Sequence, residues 1–130
     1  MGVYDLYDLY GRYVWDLVLC CRLAVDTGLN AMGWSMEKAR SFMKENTNLT
    51  ETEIHMETLR YSVDMPAQAL AYKYGSRKMH EFRERSQRIL KDRFDVRAYH
   101  EEILRYGSTP LHILEKIVDF IQIVCTVINC

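Results

Sequence analysis

The feature that most constrains the fold is the spacing of apolar side chains along residues 5–27. Apolar residues recur there three or four positions apart, which places them on one side of an α-helix. The pattern predicts a helix over 5–27 with a buried stripe. Gly28 is predicted to end this helix in a left-handed cap, where a residue without Cβ carries no steric penalty. The stripe comprises Leu6, Leu9, Tyr10, Tyr13, Val14, Leu17, Val18, Cys21 and Val25.

Five more helices are predicted from residues that favour helix starts. Ser35 can accept a free backbone N–H, and Thr50 with Glu53 has the pattern of a capping box. Pro66 suits a first helical turn because its missing N–H is not needed there, while Asp95 and Thr109-Pro110 supply the last two starts. The sequence therefore predicts an all-α fold with helices on short connections, over 5–27, 35–46, 50–62, 66–91, 95–107 and 109–121.

One helical domain is expected over residues 1–120, because no Gly/Ser/Pro-rich stretch divides the chain. A length of 130 residues also suits a single domain. The tail 121–130 is apolar and rich in β-branched residues, which lose rotamer freedom in helices. Its structure stays open between a strand and a frayed end.

Composition excludes several classes of protein. With 17 basic and 18 acidic residues the formal net charge is −1, so we expect no nucleic-acid partner, which would require an excess of positive charge. The most apolar run, Phe120–Ile128, is far shorter than the roughly 20 residues of a membrane span, and no span is expected. The residues after Met1 do not form the basic segment and apolar stretch of a signal peptide, so no signal peptide is expected. The cellular compartment of the protein stays open.

The sequence offers no metal-binding motif and no cofactor motif. His80-Glu81 and His100-Glu101 each lack the second histidine, four residues after the first, that a zinc hydrolase helix needs. We therefore expect no metal site and no cofactor in this chain. The four cysteines form no C-x-x-C pair, and idle thiols are favoured over disulfides.

The segment from Arg60 to Gly75 is chemically unusual. Gln68 and Tyr72 are four residues apart and share one helix face. A tyrosine hydroxyl and an arginine near a helix start can together donate hydrogen bonds to an oxyanion or a carboxylate. The alternative is a helix-packing corner in which the tyrosine is buried and hydrogen-bonded.

Several motifs in order resemble one family. Residues 26–35, Arg60-Tyr61, residues 66–75, Phe94–His100 and Gly107–Leu111 are similar to the C-terminal portion of the 885 family of domains of unknown function. The resemblance covers the chain to about Asp119. Departures include Ala67 where members commonly have Gly, Asn30 where they have His, and one extra residue between Arg60-Tyr61 and Pro66.

The resemblance implies a helical zincin-like fold and a zinc metallopeptidase of the carboxypeptidase type. In longer members the zinc is associated with a His-Glu stretch upstream of the part present here. The implied partners are therefore the remainder of the metallopeptidase domain and a peptide substrate. The isolated chain is expected to be inactive and to bind zinc only adventitiously.

Two functions remain open on the sequence. In the first, the chain is the substrate-cleft side of a metallopeptidase, where Tyr72 donates to the oxyanion and Arg60, Tyr61 and Gln68 bind substrate. In the second, it is a non-catalytic helical interaction module. Self-association is expected through apolar residues left uncovered, with Tyr4, Tyr7, Tyr10 and Ile121–Ile128 as the candidates.

Overall fold

The computed structural model describes residues 2–127, with the side chains of 125–127 left undescribed. Six α-helices account for most of this part of the chain, which contains no strand, and the predicted all-α class is confirmed. Within residues 2–127 none of the helices combines the length and hydropathy that crossing a bilayer requires. The helices are α1 (Leu6–Ala31), α2 (Met36–Asn46), α3 (Glu51–Leu59), α4 (Gln68–Leu90), α5 (Val96–Leu104) and α6 (Leu111–Val127).

Three predicted helix starts are confirmed by their side-chain hydrogen bonds. The Ser35 hydroxyl accepts the N–H of Lys38 at the start of α2. Thr50 and Glu53 form both halves of the capping box that begins α3. Asp95 accepts N–H groups from the first turn of α5. In each case a polar side chain satisfies donors that the helix itself leaves free.

The end of α1 differs from the prediction. Gly28 does not end the helix but lies inside it, and α1 continues to Ala31. The glycine that adopts the left-handed conformation after α1 is Gly33, with φ 65°. Gly28 is required for a different reason, because a Cβ there would overlap the indole ring of Trp34. The glycine thus serves a close contact and not a change of chain direction.

The predicted stripe of α1 is buried only in its C-terminal half. Val18, Cys21 and Val25 are buried, whereas Leu6, Tyr10, Tyr13 and Leu17 are exposed. Periodicity identifies which side of a helix is apolar, but it does not show how far the neighbouring helices extend along it. The cysteines Cys20 and Cys21 are free thiols; Cys125 and Cys130 lie outside the described side chains.

The connection between α3 and α4 is irregular. One π-helical turn, Arg60–Asp64, follows α3 directly and is called the π turn below. A turn at Pro66-Ala67 follows it, so α4 begins at Gln68 and not at the predicted Pro66. Ala67 has φ 70°, in the left-handed region. The predicted helix over 50–62 therefore ends in wider coils, because periodicity does not distinguish π from α turns.

Two other boundaries differ from the predicted ones. α5 ends at Leu104, and Gly107 follows in a left-handed turn with φ 64°. The part of the tail that the structure describes is helical, since α6 continues to Val127. Residues 128–130 of that tail lie outside the described residues.

The chain forms two compact units, the first reaching to Tyr74 and the second beginning at Gly75. In the first unit α1, α2 and α3 pack around one apolar cluster, against which Leu29, Trp34, Phe42 and Leu49 also pack. The buried members of the cluster are Val25, Ala39, Met43, Ile54, Tyr61 and Ala69.

In the second unit the core lies among α4, α5 and α6. Ser86 and Gln122 form a buried hydrogen bond of 2.9 Å beside it. Arg85 forms ion pairs with Glu115 at 3.2 Å and with Asp119 at 2.7 Å. The apolar members of this core are Phe82, Tyr99, Ile103, Leu114 and Val118.

Candidate functional site

The interior of the first unit contains two charged side chains, Arg22 and Asp26, one turn apart on α1. Their exposed fractions are only 5% and 1%. A buried charge is very costly unless hydrogen bonds or an opposite charge compensate it. The partners of these two residues therefore define the polar centre of the unit.

Arg22 is held by Tyr61 and Glu57. Its Nε donates to the Tyr61 hydroxyl and lies 3.0 Å from Glu57 Oε2, while the Tyr61 hydroxyl donates to the same carboxylate. Burial raises the pKa of Tyr61 and the Glu57 carboxylate raises it further, while Arg22 acts in the opposite direction. The hydroxyl thus stays protonated and links the cation to the anion.

Asp26 fixes the start of α4. Its two carboxylate oxygens accept the N–H groups of Ala67 at 2.8 Å and Ala69 at 3.0 Å. A carboxylate at this position also interacts favourably with the positive end of the helix dipole. Asp26 therefore caps α4 through contacts that begin at Ala67, 41 residues later in the chain.

Asn30 connects this cap to the π turn. Its side-chain amide donates to Asp26 Oδ1 at 2.9 Å and to the Tyr61 carbonyl oxygen at 3.0 Å. Asn30 is thus part of the scaffold. Through Asn30, α1 holds both the π turn and the first turn of α4.

The four residues predicted as site residues lie in different environments. Arg60 is exposed, and its Nη1 is 3.7 Å from Glu57 Oε1. Tyr61 is fully buried. Gln68 is half-buried, and its Oε1 atom is enclosed without a hydrogen-bond partner among the described residues. Tyr72 is 46% exposed.

Tyr72 lies directly beside the buried cluster. The Arg22 guanidinium carbon is 5.2 Å from the centre of the Tyr72 ring and 5.7 Å from that of Tyr61. A cation over an aromatic face at this distance is attracted by the electrons of the ring. No residue in the described part of the chain supplies a hydrogen-bond partner for the Tyr72 hydroxyl, which leaves that group available as a donor.

The sequence prediction missed Arg22, Asp26, Asn30 and Glu57. The sequence contains a signal for two of them, at the border of the apolar stripe of α1. Arg22 directly follows the buried Cys21, and Asp26 directly follows the buried Val25. Charged residues spaced four apart beside a buried stripe indicate buried partners elsewhere. Nothing local in the sequence shows which residues those partners are.

The described residues do not form a metal centre. No group of three or more His, Cys, Asp or Glu side chains within residues 2–127 could hold a metal ion. The zinc that the resemblance implies for longer members therefore does not fit the residues that the structure describes. In the polar centre the charge of Arg22 is paired with the carboxylate of Glu57.

Comparisons with known proteins identify a family and a similar solved structure. The structure described as "The crystal structure of the putative lipoprotein from Colwellia psychrerythraea" matches with a TM-score of 0.87 and 35% identity, over 93% of this chain. The chain spans only 21% of that solved chain. No curated protein matches this sequence significantly. The model of the family described as "Bacterial protein of unknown function (DUF885)" matches residues 1–118, and the chain belongs to this family.

Proposed function

We propose that this chain forms the substrate-facing side of a metallopeptidase whose other parts belong to a longer family protein. The observation that carries the proposal is the position of Tyr72. It presents a hydroxyl without a described partner beside the buried Arg22 guanidinium, which also bonds Tyr61 of the π turn. π turns inside helices occur frequently at functional sites.

In this proposal Tyr72 donates a hydrogen bond to the oxyanion that forms when a peptide carbonyl is attacked. Such donors act most strongly when the protein already holds them where charge develops. Arg22 beside the ring adds positive charge nearby and limits the movement of the side chain. No group of residues in the described part of the chain could hold zinc, and the role proposed for Tyr72 does not depend on one.

Arg60 and Gln68 bind substrate in the proposal, and Tyr61 positions Arg22. The exposed Arg60 guanidinium can reach a substrate carbonyl or carboxylate. The enclosed Gln68 Oε1 lacks a donor, and a buried unsatisfied acceptor costs about 1–3 kcal/mol. A peptide N–H that reached this oxygen would recover that free energy.

The test is Tyr72→Phe in a longer family protein that carries this segment. We expect kcat for peptide cleavage to fall by about 10²–10³-fold, the usual loss when one oxyanion donor is removed. The melting temperature is expected to stay unchanged, because the hydroxyl has no partner within the described chain.

Tyr74→Phe is the matched control, since Tyr74 lies two residues further along α4 with the same exposed fraction of 46%. We expect it to leave kcat unchanged. An unchanged kcat in Tyr72→Phe would refute the catalytic role and favour the packing corner.

A non-catalytic interaction module is the second candidate, favoured by the N-terminal half of α1. Tyr7, Tyr10 and Tyr13 there are 87%, 64% and 66% exposed. Exposed aromatic residues of this density are typical of interaction surfaces. A module of this kind would self-associate or bind a partner through α1. In that case Tyr72→Phe and Tyr74→Phe would both leave kcat of the longer protein unchanged.

A further inference from the structure

The second unit contains a cavity that is lined by residues of α4, α5 and α6. Its volume is about 450 Å³, within the roughly 300–1,000 Å³ of pockets that bind small molecules. The lining residues lie between Leu90 and Val124, so they all belong to this unit. Most of the wall is apolar, as is usual for such pockets, with aliphatic side chains from Leu90, Ile121 and Val124.

Three aromatic rings also line this cavity, those of Phe94, Tyr99 and Phe120. The rings of Phe94 and Tyr99 have centroids 5.5 Å apart and are tilted by 49°. Phe120 is 66% exposed. Aromatic pairs gain free energy from tilted or offset contacts in addition to the apolar area that they bury. A flat aromatic ligand could make such contacts here and would cover the exposed ring of Phe120.

Tyr99 brings an unsatisfied polar group to the wall of the cavity. Only 5% of this residue is exposed, and its hydroxyl has no hydrogen-bond partner among the described residues. Burial raises the pKa of Tyr99, while the positive charges of Arg83 and Arg85 act in the opposite direction. The hydroxyl therefore stays protonated at neutral pH and can donate. Because a buried donor without an acceptor is costly, a ligand oxygen that accepted this O–H would be favoured.

The charged residues of the cavity wall do not favour an ionic ligand. Two are basic, Arg93 and Arg105, and two are acidic, Asp95 and Glu102, so their charges sum to zero. Arg105 lies 2.5 Å from Glu102, and the Asp95 carboxylate accepts N–H groups in the first turn of α5. Arg93 also has an interaction of its own. An ion entering the cavity would lose its hydration without gaining an opposite charge that is still free.

We propose that this cavity binds an uncharged aromatic ketone or amide, whose ring packs against Phe94 and Phe120 and whose carbonyl oxygen accepts the O–H of Tyr99. The apolar walls and the three rings determine the aromatic part of the ligand, and Tyr99 determines the acceptor. The site belongs to the second unit alone and does not depend on the role proposed for Tyr72.

The experiment uses the 130-residue chain and Prodan, an uncharged naphthalene ketone whose fluorescence shifts to the blue in apolar surroundings. We expect saturable binding with blue-shifted emission. Acetylnaphthalene, naphthalene and naphthoate then compete with Prodan as a ketone, a hydrocarbon and an anion of similar shape. We expect naphthoate to bind at least about tenfold more weakly than acetylnaphthalene, because its lost hydration is not compensated. Equal binding of these two, or no saturable binding of Prodan, would overturn the proposal.

Tyr99→Phe tests the hydrogen bond to the carbonyl oxygen. We expect acetylnaphthalene to bind about 2–10-fold more weakly, the loss that corresponds to one neutral hydrogen bond, and naphthalene to bind as it does to the parent. The hydroxyl has no partner among the described residues, so the variant should fold. An equal loss for both ligands would indicate altered packing, and no loss for the ketone would exclude the hydrogen bond. Either result would contradict the proposal.

Ala98→Trp tests the location of the site. Ala98 is an exposed residue of α5 that lines the cavity, so an indole ring there would occupy the space without disturbing the core. We expect Prodan to bind at least about tenfold more weakly. Arg97→Trp is the matched control, since Arg97 is the preceding exposed residue of α5 and does not line the cavity. It should bind Prodan as the parent does. Parent-like binding in Ala98→Trp would show that Prodan binds elsewhere and would refute the site.

Discussion

The first unit buries the charged residues Arg22 and Asp26, whereas the buried polar side chains described in the second unit are the neutral Ser86 and Gln122. In the second unit the ion pairs of Arg85 lie at a partly exposed position. Buried ion pairs are weak contributors to stability, because desolvation offsets their attraction. Their presence in the first unit, together with the π turn, therefore indicates a requirement for position more than for stability.

The largest expected effect on the free energy of unfolding comes from comparing the buried carboxylate of Asp26 with the half-exposed carboxylate of Asp119. Asp26→Ala leaves the buried N–H of Ala69 and the part-buried N–H of Ala67 without an acceptor, and we expect about 3 kcal/mol of lost unfolding free energy from these two donors. Asp119→Ala, which removes a half-exposed partner of Arg85, is expected to cost less than about 1 kcal/mol.

Urea titration checks both values. The only two tryptophans, Trp15 and Trp34, are in the first unit, so their fluorescence reports its unfolding, while circular dichroism follows all helices. If Asp26→Ala and Asp119→Ala lost the same unfolding free energy, the carboxylates of the two units would not differ in their contribution to stability.

The next comparison concerns one buried tyrosine in each unit. Tyr61→Phe is expected to lower the unfolding free energy at pH 7 by about 2 kcal/mol, because its hydroxyl bonds two charged groups. The Tyr99 hydroxyl is buried without a partner among the described residues. Tyr99→Phe is therefore expected to leave stability unchanged or to raise it by up to about 1 kcal/mol.

The same two tyrosines should make stability fall in alkali. Burial raises the pKa of both Tyr61 and Tyr99 above the ordinary value of 10.0. Above pH 10 the unfolded chain therefore loses these protons before the folded chain does, so the folded state binds more protons and stability decreases as pH rises. Each Phe variant should show a shallower decrease between pH 10 and 11 than the parent, measured by urea titration. Parallel curves would contradict the assigned pKa directions.

The smallest effect concerns backbone conformation. Ala67 with φ 70° and Lys91 with φ 50° are left-handed residues with a Cβ, one in each unit. Since such a conformation costs about 1–2 kcal/mol outside glycine, we expect Ala67→Gly and Lys91→Gly each to gain about 1 kcal/mol. A gain in Lys91→Gly alone would show that contacts with Asp26 already offset the strain at Ala67.

Local sequence rules predict the helices well and the polar centre poorly. Ser35, Thr50 and Asp95 cap helices through residues two or three positions away, so their roles can be inferred from short patterns. Asp26 caps α4 across 41 residues, and no local pattern shows this. For Gly28, a tight cap and a close aromatic contact both require the absence of Cβ. A sequence pattern cannot distinguish these two reasons.

The predicted site residues show the same limit. The spacing of Gln68 and Tyr72 indicates that they share a helix face, and both lie on α4. The burial of Tyr61 and the participation of Arg22 depend on how α1 and α3 pack together, which requires coordinates. The sequence therefore locates the segment of interest, and packing decides which of its side chains remain accessible.

The π turn also bears on how the length of this segment can vary among relatives. Its defining hydrogen bond, from the Met65 N–H to the Arg60 carbonyl oxygen at 2.7 Å, closes a loop one residue larger than an α-helical turn. The family resemblance implies that the segment between Arg60-Tyr61 and Pro66 is one residue longer here than in the family pattern. A wider coil can absorb one inserted residue while Asp26 and Asn30 keep their hold on both ends. An insertion that would otherwise rotate every later side chain by about 100° is thereby confined to five residues.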